Sequence, residues 1–100
     1  MRYFREAMLA PTLVSPLGGI TVPSLKPTFD WNDVTGATSY TLQVSLSNVF
    51  SFPVINATIA ISQYTATVNL QAGKLYYWRV RANGPNGPSA WSTVESFTTP

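Results

Sequence analysis

The chain has 100 residues, 45% hydrophobic and 10% charged, with net charge +2; this length allows one domain, and ten Ser and twelve Thr supply the polarity that charges usually provide. It has no cysteine, which excludes disulfides and thiolate metal sites, and no histidine, the commonest general base and metal ligand. Its six Lys and Arg residues form no run, which argues against a nucleic-acid partner, and no stretch nears the ~20 apolar residues of a membrane-spanning helix.

The chain opens with "MRYFREAMLAP". Tyr3, Phe4, Met8 and Leu9 are apolar and have no partner in the expected sandwich, while Arg5 and Glu6 break the run that a signal peptide needs. Two readings stand for residues 1–10: a flexible end, or an assembly arm that docks on a neighbouring domain or subunit. The domain proper is expected over 11–100.

From residue 11, Pro and Gly divide the chain into short segments rich in Thr, Val and aromatic residues, which suit a pleated, half-buried surface. Seven strands are expected. The first spans 11–15. The second, 27–32, holds "PTFDW", with Phe29 and Trp31 on one face and Asp30 opposite. The third, 39–46, alternates most clearly: Tyr40, Leu42, Val44 and Leu46 face one way, Thr41, Gln43 and Ser45 the other. The fourth, 53–58, starts at Pro53, which cannot donate to a ladder and so predicts a sheet edge. The fifth, 65–70, aligns Ala66, Val68 and Leu70. The sixth, 75–83, sets Tyr76, Trp78, Val80 and Ala82 against Tyr77, Arg79 and Arg81. The turn-rich "NGPNGPS" separates it from the seventh, 90–99. This pattern predicts an all-β, seven-stranded, immunoglobulin-like sandwich.

Three stretches then resemble a fibronectin type III domain, in its order: "PTFDWNDVTGATSYTLQVS" (27–45), "LQAGKLYYWRVRA" (70–82) and "GPSAWSTVESFTT" (87–99). The resemblance covers 11–100 nearly throughout. It implies a core of Trp31, Tyr40, Leu42, Val44, Leu70, Tyr76, Trp78 and Val80, with Trp31 filling the space between the sheets. Leu70, Gly73 and Tyr76 match the tyrosine-corner pattern, which implies a bond from the Tyr76 hydroxyl to nearby backbone.

Candidate sites are few. The acids are Glu6, Asp30, Asp33 and Glu95, and the nearby pair Asp30 and Asp33 reads as surface acids at a strand end. With no histidine or cysteine, a nucleophilic site lacks a base, so no enzyme, cofactor or metal is expected. The loop before the last strand lacks the Arg-Gly-Asp of integrin-binding type III domains. Asn56-Ala57-Thr58 fits a glycosylation triplet. "SAWS" resembles half of the Trp-Ser-x-Trp-Ser motif of cytokine-receptor domains, where tryptophans stack on arginines of the adjacent strand. Tyr77, Arg79, Arg81 and Trp91 therefore read either as a surface stack or as a ligand platform.

The function expected is a non-catalytic spacer or adhesion module of a larger secreted or cell-surface protein. Its partners would be other protein domains. One alternative is a self-assembling subunit that contacts copies of itself through its arm or an edge strand. A second is a carbohydrate-binding module whose partner is a glycan.

Overall fold

The computed structural model describes residues 8–100. Eight strands follow in chain order: β1 (Leu13–Ser15), β2 (Ile20–Thr21), β3 (Thr28–Trp31), β4 (Ser39–Ser45), β5 (Ile55–Ile59), β6 (Gln63–Thr65), β7 (Leu75–Asn83) and β8 (Glu95–Thr98). They form a three-stranded sheet, β1-β3-β6, and a five-stranded sheet, β2-β8-β7-β4-β5. The result is a two-sheet all-β sandwich.

The strand beyond the seven expected, β2, follows the expected first strand, 11–15, where the chain changes sheet. Pro16 has no N–H to continue a ladder, and Gly18 and Gly19 take φ of 64° and 75°, a region open to glycine. The chain therefore leaves β3 after Ser15 and crosses to the other sheet. There β2 runs parallel to β8, with Ile20 opposite Phe97 and Thr21 opposite Thr98. The indole N–H of Trp78 donates to the Pro16 carbonyl at 2.9 Å, which ties the crossover to the core.

The core follows the two-residue period of β4 and β7. Tyr40, Leu42, Val44, Tyr76, Trp78, Val80 and Ala82 are all buried, as are Trp31 and Leu70. Their rings interlock with two phenylalanines. Phe29 lies 5.1 Å from Trp78 and 5.5 Å from Phe97, while Tyr76 stacks on Phe97 at 5.6 Å. Trp31 meets Tyr40 edge-on at 5.6 Å, an arrangement that aromatic quadrupoles favour. The Trp31 indole N–H, unlike that of Trp78, has no partner among the described residues.

Four expectations need correction. Leu46 is exposed and Ser45 is buried, because the chain folds back after β4: Ser45 Oγ donates to the Ser51 carbonyl and accepts from the Ser47 N–H. Val68 is also exposed. The strand near it is β6, which ends at Thr65, and beyond it only Ala66 and Leu70 turn inward, their N–H groups donating to the Pro27 and Leu25 carbonyls. The last strand is shorter than expected: β8 begins at Glu95, although residues 89–92 still run beside β7. Finally, Met8 belongs to the core and not to a free arm. Its side chain fills the end of the sandwich beside Gly36 and Gly84. Leu9 is 80% exposed. Tyr3 and Phe4 lie outside the described residues.

The fourth expected strand appears as β5, two residues past Pro53, at the edge of the five-stranded sheet.

Candidate functional site

The alternation that sends Trp78 and Val80 inward sends Tyr77, Arg79, Arg81 and Asn83 to the outer face of the five-stranded sheet. In the β4–β7 register Gln43 lies opposite Arg79, and Thr41 opposite Arg81. Cross-strand partners on one face are close enough to interact directly. Arg79 donates to the Gln43 Oε1 from both Nε, at 3.0 Å, and Nη2, at 2.8 Å. Asn83 Nδ2 donates to Thr41 Oγ1 at 3.0 Å and to Ser39 Oγ at 3.3 Å.

Held by Gln43, the Arg79 guanidinium meets two rings. Its central carbon is 4.2 Å from the centroid of Phe50 and 4.1 Å from that of Trp91. Arg81 approaches the same Trp91 ring at 4.8 Å. The contacts form a chain, Phe50–Arg79–Trp91–Arg81, in which each cation faces a ring quadrupole. Desolvation by burial, and then the like charge of Arg81, hold the Arg79 guanidinium below its ordinary range. Arg81 Nε is buried with no hydrogen-bond partner among the described residues.

The segment that carries Trp91 is fixed by two serines. Ser89 Oγ accepts from the Ala82 N–H at 2.9 Å, and Ser92 Oγ accepts from the Val80 N–H at 3.0 Å. Each hydroxyl then donates to a carbonyl of its own segment, Ala90 and Thr93 respectively. The backbone N–H groups of Ser89 and Ser92 donate in turn to the Ala82 and Val80 carbonyls. Both serines are buried. Their hydroxyls take acceptor positions that backbone carbonyls fill in a regular ladder, and this sets Trp91 beside the two arginines.

The remaining candidates do not gather into a reactive site. Tyr77 is half-buried, paired with Ser45 on one side and Ser96 on the other. Asp30 sits on β3, and Asp33 in the loop after it lines an open depression of about 410 Å³ beside Met8. Asn56 and Thr58 are exposed on β5. Among the described residues no group of three His, Cys, Asp or Glu could hold a metal. Sequence reasoning placed Gln43 on the outer face but did not find its bond to Arg79. It missed Phe50 and the two serines altogether; the serine spacing in "SAWS" was the available signal.

A chain with this sandwich, from Gly19 to its last residue, matches the profile of the Rha78A-like, N-terminal immunoglobulin domain, over residues 19–100. The chain belongs to that family. Solved structures agree with this Rha78A-like domain in fold. A Fn3-like protein from Clostridium thermocellum is 25% identical, with a TM-score of 0.67 over 91% of this chain and 95% of that one. The structure called FN3tt is 24% identical, with a TM-score of 0.64 over 89% of this chain and 94% of that one. The Rha78A-like domain is also similar to part of the Streptomyces avermitilis alpha-L-rhamnosidase that was solved with L-rhamnose. Identity there is 17% and the TM-score 0.60, over 93% of this chain and 10% of the rhamnosidase. No curated protein sequence matches the chain.

Proposed function

We propose that this chain is a non-catalytic accessory module of a larger rhamnosidase-like enzyme, acting through protein–protein contact and not through chemistry of its own. The observation that carries the reading is the family match, whose domain is by description N-terminal. The alpha-L-rhamnosidase with this sandwich in a tenth of its length gives the family's name a concrete counterpart. The outer face fits a structural role: Gln43 and two rings engage the Arg79 guanidinium, and Trp91 meets two cations. That crowding stands against Trp91 as a sugar-stacking platform, since a sugar would have to displace a guanidinium. The hydroxyl-rich, sparsely charged composition suits a secreted or cell-surface enzyme.

Rhamnoside hydrolysis is the test. The full encoded product is expected to cleave p-nitrophenyl α-L-rhamnoside, and the 100-residue chain alone is not. Turnover by the chain alone overturns the non-catalytic reading, and an inactive full product overturns the rhamnosidase assignment.

A further inference from the structure

The loop 46–54, "LSNVFSFPV", carries no charge and leaves four apolar side chains in water. Leu46 is 43% exposed, Val49 74%, Phe52 95% and Val54 46%. Single exposed apolar residues are ordinary; four within nine residues, one of them a phenylalanine almost wholly in solvent, mark an interaction surface.

The loop is also built to hold that shape. Ser45 Oγ joins the Ser47 N–H to the Ser51 carbonyl. The Phe50 N–H donates to the Ser47 carbonyl at 3.1 Å, and the Val54 N–H donates to the Val44 carbonyl at 2.7 Å. Phe50 and Phe52 have φ of 58° and 51°, a left-handed region that bulky side chains rarely enter. Such conformations persist where the surroundings impose them, and they cluster at functional positions. Here they turn Phe50 under Arg79 and Phe52 outward.

The place of the loop in the sandwich indicates what covers it. β4 ends at Ser45 opposite Tyr77, and β7 begins at Leu75 opposite Thr98 near the end of β8. The Gly73 N–H donates to the Pro100 carbonyl at the same end. The last strand thus delivers the chain to the end that bears Phe52. In a family whose domain is N-terminal, the next domain starts from that end.

We propose that the loop 46–54, led by Phe52 and Val49, docks on an uncharged apolar patch of the domain that follows in the same polypeptide. This rests on the accessory-module reading above. Docking through such a surface fixes the orientation of one domain on the next, where a bare linker leaves it free.

The experiment uses the full encoded product and the 100-residue chain, each as wild type, as Val49→Ser/Phe52→Ser and as Phe52→Leu. Limited proteolysis reads the junction after Pro100, and sedimentation reads self-association of the 100-residue chain. The double serine variant is expected to raise junction cleavage at least tenfold and to leave the melting of the 100-residue chain unchanged. Phe52→Leu keeps an apolar group and is expected to retain protection. Unchanged cleavage in the serine variant, or equal exposure in the leucine variant, overturns the docking while leaving the module reading intact. Self-association of the 100-residue chain that the serine variant abolishes makes a second copy the occupant and also overturns it. A gene product that ends at Pro100 overturns both readings at once.

Discussion

Arg79 gives two hydrogen bonds to one oxygen of Gln43, from Nε at 3.0 Å and from Nη2 at 2.8 Å. The acceptor is a neutral amide, so it orients the guanidinium without cancelling its charge. The cation remains available to the rings of Phe50 and Trp91, at 4.2 and 4.1 Å. Gln43→Ala is therefore expected to remove more than a hydrogen bond, because Arg79 is then free to rotate off both rings. We expect a loss of about 1–1.5 kcal/mol in urea denaturation, at or just below the foot of the roughly 1.5–3 kcal/mol range for bonds to a charged group, because solvent screens a half-exposed site. Gln43→Glu is the sharper control: it keeps the acceptor geometry and adds charge, so stability within about 0.5 kcal/mol of wild type is expected at low salt.

Coupling between Arg79 and Trp91 is measurable by a double-mutant cycle. Arg79→Met and Trp91→Leu keep most of the apolar stems, so the cycle isolates the cation–ring term. A coupling of about 0.5–1 kcal/mol is expected for a partly exposed pair. The same cycle with Arg81, whose central carbon is 4.8 Å from the ring, is expected to give less. A coupling near zero for both would leave Trp91 a passive cover of the sheet.

Ser89 and Ser92 give a prediction that separates hydroxyl from volume. Each Oγ satisfies a buried backbone N–H of β7, that of Ala82 or Val80. Replacing either serine by alanine changes little packing but orphans a buried donor, which costs about 1–3 kcal/mol. Amide hydrogen exchange is the direct readout: Ala82 is expected to lose protection in Ser89→Ala and Val80 in Ser92→Ala, each without the other. Uniform loss across β7 would instead indicate general destabilisation.

Gly84 and Gly73 separate two reasons for glycine. A Cβ on Gly84 would stand 2.5 Å from the Gly36 carbonyl oxygen and 3.3 Å from Met8 Sδ, so the obstacle is space. Gly73 has nothing within 4 Å of that position but a φ of 65°, so the obstacle is backbone conformation. Gly73→Ala is expected to cost about 1 kcal/mol, and Gly73→Asn less, because Asn tolerates the left-handed region. Gly84→Ala is expected to cost about 1–3 kcal/mol, as overpacking does. Because the nearest obstacle is the Gly36 backbone carbonyl, trimming Met8 to alanine in the Gly84→Ala background is expected to recover none of that loss.

Much of the fold can be read from the sequence because a strand with one buried face repeats every two residues. Tyr40, Leu42 and Val44 against Thr41 and Gln43 leave one arrangement, and so do Tyr76, Trp78 and Val80 against Tyr77, Arg79 and Arg81. The period fails where the chain changes sheet or turns back on itself. Nothing in "SPLGGIT" says that Ile20 pairs with Phe97, because a parallel pairing between chain ends is a tertiary outcome. Spacing aligns Val68 with Ala66 and Leu70, yet the ladder ends at Thr65; Ala66 and Leu70 are buried and bond to the Pro27 and Leu25 carbonyls, while Val68 is exposed. The outer-face cluster is half legible: Arg79, Arg81 and Trp91 stand on adjacent segments, and "SAWS" names the neighbour. Phe50 is not legible, because a left-handed phenylalanine in a loop has no local sequence sign.

Tyr40 and Tyr76 occupy matching places, each the second residue of its strand. Each hydroxyl accepts a backbone N–H from the preceding loop at 2.9 Å, that of Val34 for Tyr40 and that of Gln71 for Tyr76. Because β4 and β7 are antiparallel, the two bonds close loops at opposite ends of the sandwich. Tyr→Phe at either position keeps the buried ring and removes only the acceptor, so about 1 kcal/mol is expected from each. For a domain of this size that corresponds to a fall in Tm of roughly 4–8 °C per substitution. The distance between the sites makes a stronger claim: losses in the double variant should add to within about 0.5 kcal/mol. Thermal denaturation of the two single variants and the double checks this. A double variant that loses far more than the sum would mean that the two loops are held as one unit through the ring contacts joining Trp31, Trp78, Phe29 and Phe97.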